Sequence, residues 1–172
     1  MAMAMATAMV ADASGIGGGM QIGDLADLAS HLPRLAEWHY AEFGYLNPSN
    51  TLERYVERLG ASLQRSSLPK TFIALRGDTL LGSASLVRQT ITHQHLSPWL
   101  SSVYVDPQYR GAGIASALVK AVERAAAEIG SEKIYLFTPS SEKLYASLGW
   151  ELMEYSRHGE LKIAIMSKAL VS

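Results

Sequence analysis

The residues best suited to chemistry lie in a glycine-containing segment over 108–115, at the start of a predicted helix. Gly111 and Gly113 stand where Ser, Thr, Asp or Asn usually caps a helix, and the first turn carries no Asp or Glu. Such a helix start leaves backbone N–H donors unpaired and its positive dipole end uncompensated. Arg110 adds a full positive charge, and glycines let a ligand approach the backbone closely. The segment therefore predicts an anion site, with phosphate as the occupant.

Other interpretations of this segment carry less weight. A plain glycine-containing loop before a helix would require neither the basic residue nor the missing acids. A dinucleotide fingerprint fits poorly, because Ser116 stands where the third glycine belongs and because the segment follows a meander late in the chain. The sequence has no Gly-Lys-Ser/Thr, which excludes a P-loop.

Hydrophobic spacing and turn residues predict the elements that position this segment. The predicted strands span 20–23, 71–75, 80–89, 99–105, 134–137, 151–155 and 161–166. The predicted helices span 25–43, 113–129 and 142–148, and a further helix capped by Asn50 or Thr51 runs through residue 64. Pro33 should kink the first helix or divide it into two, and Val56 and Ile129 are assigned to apolar faces. This order of elements predicts an α+β or α/β layered domain with a mixed sheet.

Composition limits the classes of function. The 172 residues suit one domain, which we place at 20–172 after a glycine-rich tail over 1–19 that is expected to be disordered. A net charge of −1 gives no electrostatic basis for nucleic acid, and no apolar stretch is long enough to span a membrane. The chain lacks cysteine and its five histidines show no metal-ligand spacing, so no metal is expected. A cytoplasmic location is the default expectation.

The segment over 103–115 resembles motif A of the GNAT family of N-acetyltransferases, whose core reads Gln/Arg-x-x-Gly-x-Gly/Ala. Gln108, Gly111 and Gly113 occupy the core positions, and Leu118 matches a leucine further along the helix. The resemblance extends from about residue 20 to the C-terminus. It implies a mostly antiparallel sheet of six to seven strands flanked by helices, and acetyl-CoA as the co-substrate.

The resemblance also implies which residues bind acetyl-CoA. The pyrophosphate would lie on backbone amides of the loop, and the strand before it would pair with the pantetheine arm and hydrogen-bond the acetyl carbonyl. The residues so implicated are Val103, Val105, Gln108, Arg110, Gly111, Ala112, Gly113, Ile114 and Ala115. Many members have an asparagine after the next strand; here Thr138 or Ser141 could replace it.

Residues 144–150 resemble a second family signature, Tyr-x-x-x-Gly-Phe/Tyr/Trp. This resemblance implies that the Tyr145 phenol lies near the CoA sulfur and protonates the leaving thiolate. A packed aromatic residue without proton transfer is the alternative. A non-catalytic acyl-CoA-binding domain is accordingly the second hypothesis for the whole chain, and a nicotinamide-dependent oxidoreductase is a weaker third.

The acceptor is left open by the sequence. In the implied reaction a neutral amine attacks the thioester directly in a ternary complex, so a base or water must remove a proton from the ammonium. The candidates for this base are Glu37, His39, Glu42, His93 and His95. The lack of an acidic cluster gives no support for a polycationic acceptor. A small amine or a peptide remains as the partner, and a homodimer is left open.

Overall fold

The apolar spacing of the sequence corresponds closely to the helices and strands of the computed structural model, which describes residues 19–170. The predicted tail therefore lies outside the described residues, except for Gly19. The helices are α1 (Leu32–Phe43), α2 (Leu52–Ala61), α3 (Ile114–Glu128) and α4 (Glu142–Ser147). The strands are β1 (Gln21–Asp24), β2 (Lys70–Arg76), β3 (Thr79–Val87), β4 (Trp99–Val105), β5 (Lys133–Thr138), β6 (Glu151–His158) and β7 (Leu161–Ala169).

Within the described residues the strands form one seven-stranded sheet in the order β1-β2-β3-β4-β5-β7-β6. Each neighbouring pair is antiparallel except β4 and β5, which are parallel and joined by the α3 crossover. The predicted mixed, mostly antiparallel sheet flanked by helices is therefore confirmed.

The two faces of the sheet are covered by different helices. On one face α3 buries Leu118 and Val122 against β2, β3 and β4, in the largest apolar cluster of the molecule. On the other face α1 and α2 pack over β2 and β3 through Leu35 and Leu59. This arrangement places the start of α3 at the carboxyl end of β4, where the glycine segment lies.

The region predicted as one interrupted helix begins differently. Asp24 caps a 3-10 turn, Leu25–Asp27, by accepting a hydrogen bond from the Ala26 N–H, and a second 3-10 turn, Ala29–His31, follows. Pro33 then lies in the first turn of α1, where its missing N–H costs nothing. The proline therefore begins the regular helix and does not kink it.

Two predicted core positions are wrong. Val56 on α2 is 41% exposed and Ile129, just after α3, is 53% exposed. α2 ends at Ala61, earlier than predicted, and Ile129 lies where α3 is already ending. Neither side chain is covered by a neighbouring element, so apolar character alone did not bury it. None of the helices within residues 19–170 is long and apolar enough to cross a membrane.

Candidate functional site

The site is built around the divergence of the two parallel strands. β4 and β5 pair at one register position, Trp99 with Tyr135, whereas β5 pairs with β7 along its whole length. Beyond this point the strands separate, and a cavity of about 690 Å³ opens, bordered by parts of both strands. An opening in the middle of a sheet exposes backbone N–H and C=O groups that a ligand can pair with.

A β-bulge in β4 faces this opening. The register between β3 and β4 shifts between Ser83 and Ser85, and opposite the shift Ser102 has a φ of +55°. This left-handed conformation is uncommon for a residue other than glycine. A bulge bends its strand and redirects backbone groups, and bulges are frequent beside active sites. No sequence motif indicated it, although Ser101 and Ser102 interrupt an otherwise apolar strand.

After the bulge, Val103 and Val105 direct their backbone groups toward β5. The Asp106 N–H donates to the Leu81 carbonyl on β3, so backbone groups of the intervening valines point to the other edge by strand alternation. Their side chains pack on the α3 side, while Tyr104 lies on the α1 side with its ring 5.2 Å from that of Trp38. Val103 lines the cavity, whereas Val105 does not, and the Val105 carbonyl already accepts a hydrogen bond from the Arg110 side chain.

The start of α3 has the uncapped form that the sequence predicted. Gly113 at the N-cap position has φ +80° and Gly111 has φ +86°, with no side-chain cap and no acidic residue in the first turn. A Cβ added to either glycine would meet nothing within 4 Å. The backbone conformation and open space, not contact with neighbouring protein atoms, therefore account for these glycines.

The Arg110 side chain lies against β4. Its Nε donates to the Val105 carbonyl at 2.9 Å, and its guanidinium lies 5.8 Å from the centroid of the Tyr104 ring. The positive charge that the sequence assigned to the loop is thus held at the end of the strand. The backbone N–H of Arg110 remains part of the loop before α3.

A glycine on β3 permits the close contact between β3 and β4. A Cβ at Gly82 would lie 2.4 Å from the Tyr104 carbonyl oxygen, a distance that real contacts do not reach. Gly82 pairs with Val105, one residue from the loop. The sequence alone does not indicate this role of Gly82, because nothing in the pattern of β3 distinguishes it from an ordinary small residue.

Tyr145 lines the same cavity from α4. It is 7% exposed, and its ring packs edge-on against Trp150 with centroids 6.2 Å apart. No described residue hydrogen-bonds the phenol group, and burial raises the pKa of Tyr145 to about 12. The phenol is therefore protonated at neutral pH and available to a ligand.

The turn before α4 is organised by Thr138. Its Oγ1 accepts hydrogen bonds from the N–H groups of Ser140 and Ser141, at 3.3 and 2.9 Å. This oxygen is thus already used within the protein, while Thr138 and Ser141 both line the cavity. Trp150 donates to Glu123 on α3 at 3.0 Å, which fastens the other end of α4.

Two of the five proposed base candidates, His39 and Glu42, line the cavity. Glu37 and His95 are exposed elsewhere on the surface. His93 donates from Nε2 to Glu154 at 2.5 Å, which ties the loop before β4 to β6. That contact gives His93 an anchoring role at the edge of the sheet.

His39 is almost fully buried, at 2% exposure, and its Nε2 lies 2.8 Å from Ser83 Oγ. Burial lowers the pKa of His39 to about 3. The imidazole is therefore neutral near pH 7 and a very weak base. Glu42 is exposed and is the one carboxylate among the described residues that line the cavity.

The end of β6 contacts the turn after α1 at the border of the cavity. His158, at the end of β6, donates from Nε2 to the Leu46 carbonyl at 2.7 Å, in the 3-10 turn that follows α1. The hairpin of β6 and β7 therefore contacts the connection between α1 and α2. Arg58 and Arg88 add cationic side chains to the lining of the cavity. Within residues 19–170 no cluster of His, Cys, Asp or Glu could hold a metal ion.

The seven-stranded mixed sheet flanked by helices matches the fold of acetyltransferases of known structure. The chain belongs to the acetyltransferase (GNAT) family, whose model matches residues 32–150. Members of this family transfer acetyl groups from acetyl-CoA. A comparison with curated proteins gives no match.

Several solved structures share this fold at low sequence identity. An aminoglycoside 6′-N-acetyltransferase complexed with coenzyme A is 15% identical, with 88% of this chain and 97% of that chain covered and a TM-score of 0.68. The protein yncA from Salmonella typhimurium, with its cofactor acetyl-CoA, is 18% identical, with 89% and 95% covered and a TM-score of 0.65. A ribosomal-protein-alanine N-acetyltransferase from Brucella melitensis is 21% identical, with 88% and 99% covered and a TM-score of 0.64.

Proposed function

We propose that this protein moves the acetyl group of acetyl-CoA to a primary amine of a small molecule or peptide, by direct transfer in a ternary complex. The observation that carries the proposal is the uncapped helix start at Gly111 and Gly113 beside the opening between β4 and β5. The first feature suits a pyrophosphate and the second suits an extended arm with amide groups. Acetyl-CoA contains both, with its thioester at the end of the arm.

The donor would be held mainly by backbone atoms. The amides from Arg110 to Ala115 would bind the pyrophosphate, because the first N–H groups of a helix lack partners within it. Gln108 would border this loop, and the backbone groups of Val103 and Val105 would pair with the pantetheine. Open space around the two loop glycines favours this mode, since a bulky side chain there would occupy the place of the phosphate.

In the proposed reaction the acetyl carbonyl lies at the bulge in β4, where backbone N–H groups stabilise the charge that develops on its oxygen. The amine nitrogen forms a bond to the carbonyl carbon as the carbon–sulfur bond breaks. Tyr145 donates its proton to the departing sulfur. Its high pKa does not preclude this, because a thiolate leaving into the same buried space is also desolvated and binds a proton more strongly.

We assign the removal of the amine proton to Glu42, directly or through water. His39 is excluded from this role by its low pKa, since it cannot compete with an alkylammonium for the proton. Glu42 is the carboxylate that lines the cavity. Burial and then Asp106 raise the pKa of Tyr104, and Glu42 adds a smaller contribution in the same direction, which places its carboxylate near that phenol.

The charges around the cavity limit the acceptor. One carboxylate, Glu42, is offset by Arg58 and Arg88 among the described lining residues. A polycationic acceptor would be repelled by such a lining, whereas an amine that also carries an anionic or neutral polar group would not. We therefore propose amino-acid-like amines and peptide N-termini ahead of aminoglycosides.

The test is a panel of amines with detection of the released CoA thiol. Wild-type protein should release thiol with at least one amine, and Tyr145→Phe should lower kcat by about tenfold or more while acetyl-CoA affinity stays nearly constant. Tyr135→Phe is the matched control, because Tyr135 packs on Trp99 and does not line the cavity. Tight acetyl-CoA binding without thiol release across the panel would favour the alternative, a non-catalytic acyl-CoA-binding domain.

A further inference from the structure

A buried polar pair lies directly behind the bulge in β4. His39 on α1 and Ser83 on β3 are both almost completely buried, and His39 Nε2 lies 2.8 Å from Ser83 Oγ. Ser83 Oγ in turn lies 3.5 Å from the backbone carbonyl of Ser102, the bulge residue with positive φ. Side chains from two other elements are thus connected to the strained peptide of the bulge.

The protonation state determines the direction of these hydrogen bonds. His39 is neutral, because burial lowers its pKa to about 3. The Ser102 carbonyl can only accept, so the Ser83 hydroxyl donates to it. Ser83 Oγ must then accept from His39, which requires the tautomer with the proton on Nε2. In this arrangement the hydrogen bonds run from His39 on α1 through Ser83 to the bulge.

The bulge needs such support because its conformation is intrinsically unfavourable. A serine with φ +55° persists only where the surroundings hold it. The bulge is also where β3 and β4 lose their regular register, so ladder hydrogen bonds do not hold it completely. A hydroxyl placed on its carbonyl from behind restricts rotation of that peptide.

We propose that His39 and Ser83 are positioning residues, which orient the Ser102 peptide so that the bulge receives the acetyl carbonyl. This inference rests on the proposed function, since it assigns the bulge to the acetyl group of acetyl-CoA. It gives His39 a role in the reaction that requires no proton transfer. It also explains why a polar pair is retained between α1 and the sheet, where apolar packing would otherwise suffice.

A buried hydroxyl outside the cavity lining provides an internal control. Ser62 is 1% exposed and its Oγ donates to the Leu59 carbonyl at 2.6 Å, with no hydrogen bond to Ser102. Ser62→Ala removes a buried hydroxyl hydrogen bond by the same substitution as Ser83→Ala. Loss of stability alone should therefore be similar for Ser62→Ala and Ser83→Ala.

The experiment compares the affinities of the full-length protein for acetyl-CoA and for CoA by titration calorimetry. In Ser83→Ala and His39→Leu the preference for acetyl-CoA over CoA should fall by about fivefold, as expected for one hydrogen bond to the acetyl carbonyl. CoA affinity should stay the same. His39→Gln, whose amide can donate to Ser83, should retain most of the preference, and Ser62→Ala should retain all of it.

An unchanged preference in a folded Ser83→Ala would overturn the positioning role. Nitrogen-15 NMR of the imidazole supplies a readout that does not depend on any ligand: the proton should be on Nε2 in wild type. A proton on Nδ1 would reverse the hydrogen bond and equally overturn the inference. If wild-type protein binds neither acetyl-CoA nor CoA, the proposed function fails instead, and the NMR result remains a separate test of the pair.

Discussion

The buried His39 makes a quantitative prediction about stability and pH. Burial lowers the pKa of His39 from 6.5 to about 3 in the folded protein, whereas the unfolded chain binds the proton with the ordinary pKa. Because the folded-state pKa is depressed, the free energy of unfolding has its full value above the unfolded-state pKa and decreases as the pH falls toward about 3. At about pH 5 the preferential protonation of His39 in the unfolded chain should lower the free energy of unfolding by about 2 kcal/mol.

The assay is urea denaturation followed by tryptophan fluorescence between about pH 7.5 and pH 5, for wild type and His39→Gln. Other groups titrate in both proteins, so the difference between the two free energies of unfolding isolates His39. Between these two pH values the free energy of unfolding should fall by about 2 kcal/mol more in wild type than in the variant, with similar m-values. A difference that stays constant with pH would show that the imidazole is accessible to protons, and would refute the reasoning.

Two further predictions concern glycines. Gly111→Asp should weaken acetyl-CoA binding by roughly tenfold or more, because it adds a negative charge and a side chain at the phosphate loop. Gly77→Asp is the control, since Gly77 also has a positive φ but lies in the β2–β3 turn, and it should leave the affinity unchanged. Calorimetry measures both affinities, and retained binding in Gly111→Asp would contradict the phosphate assignment. Gly82→Ala should cost about 1–3 kcal/mol in thermal or urea unfolding, because its Cβ would overlap the Tyr104 carbonyl, whereas Gly60→Ala, with nothing within 4 Å, should not destabilise α2. Equal stability of these two alanine variants would contradict the close contact of β3 and β4.

Sequence reasoning succeeded where the physical causes are local. The start of α3 could be predicted because the missing cap, the missing acids and the two glycines lie within a few residues of each other. The cap of α2 was predicted at Asn50 or Thr51 for the same reason, and it is the Thr51 hydroxyl that accepts from the Arg54 N–H. Strand β4 was predicted with its observed boundaries, since Pro98 and Asp106–Pro107 delimit it.

The details that decide the site depend on contacts between distant residues. Whether Val56 or Ile129 is covered depends on which elements pack nearby, and the apolar pattern of one helix does not contain that information. The bulge at Ser102 arises from the pairing of β3 with β4, and its contact with Ser83 forms only when both strands are in register. The direction of the Arg110 side chain likewise depends on the position of the Val105 carbonyl.

The sequence by itself determined the order of elements, the mixed layered fold and the loop suited to phosphate, because hydrophobic period and helix capping act over a few residues. A resemblance also singled out Tyr145, whose role as the acid stays a prediction. Only the tertiary structure separated β4 from β5, placed Tyr145 and Glu42 on one cavity, and made His39 a buried neutral partner of Ser83. Burial and strand divergence are properties of the assembled chain, since they depend on residues far apart in sequence that are brought together by packing.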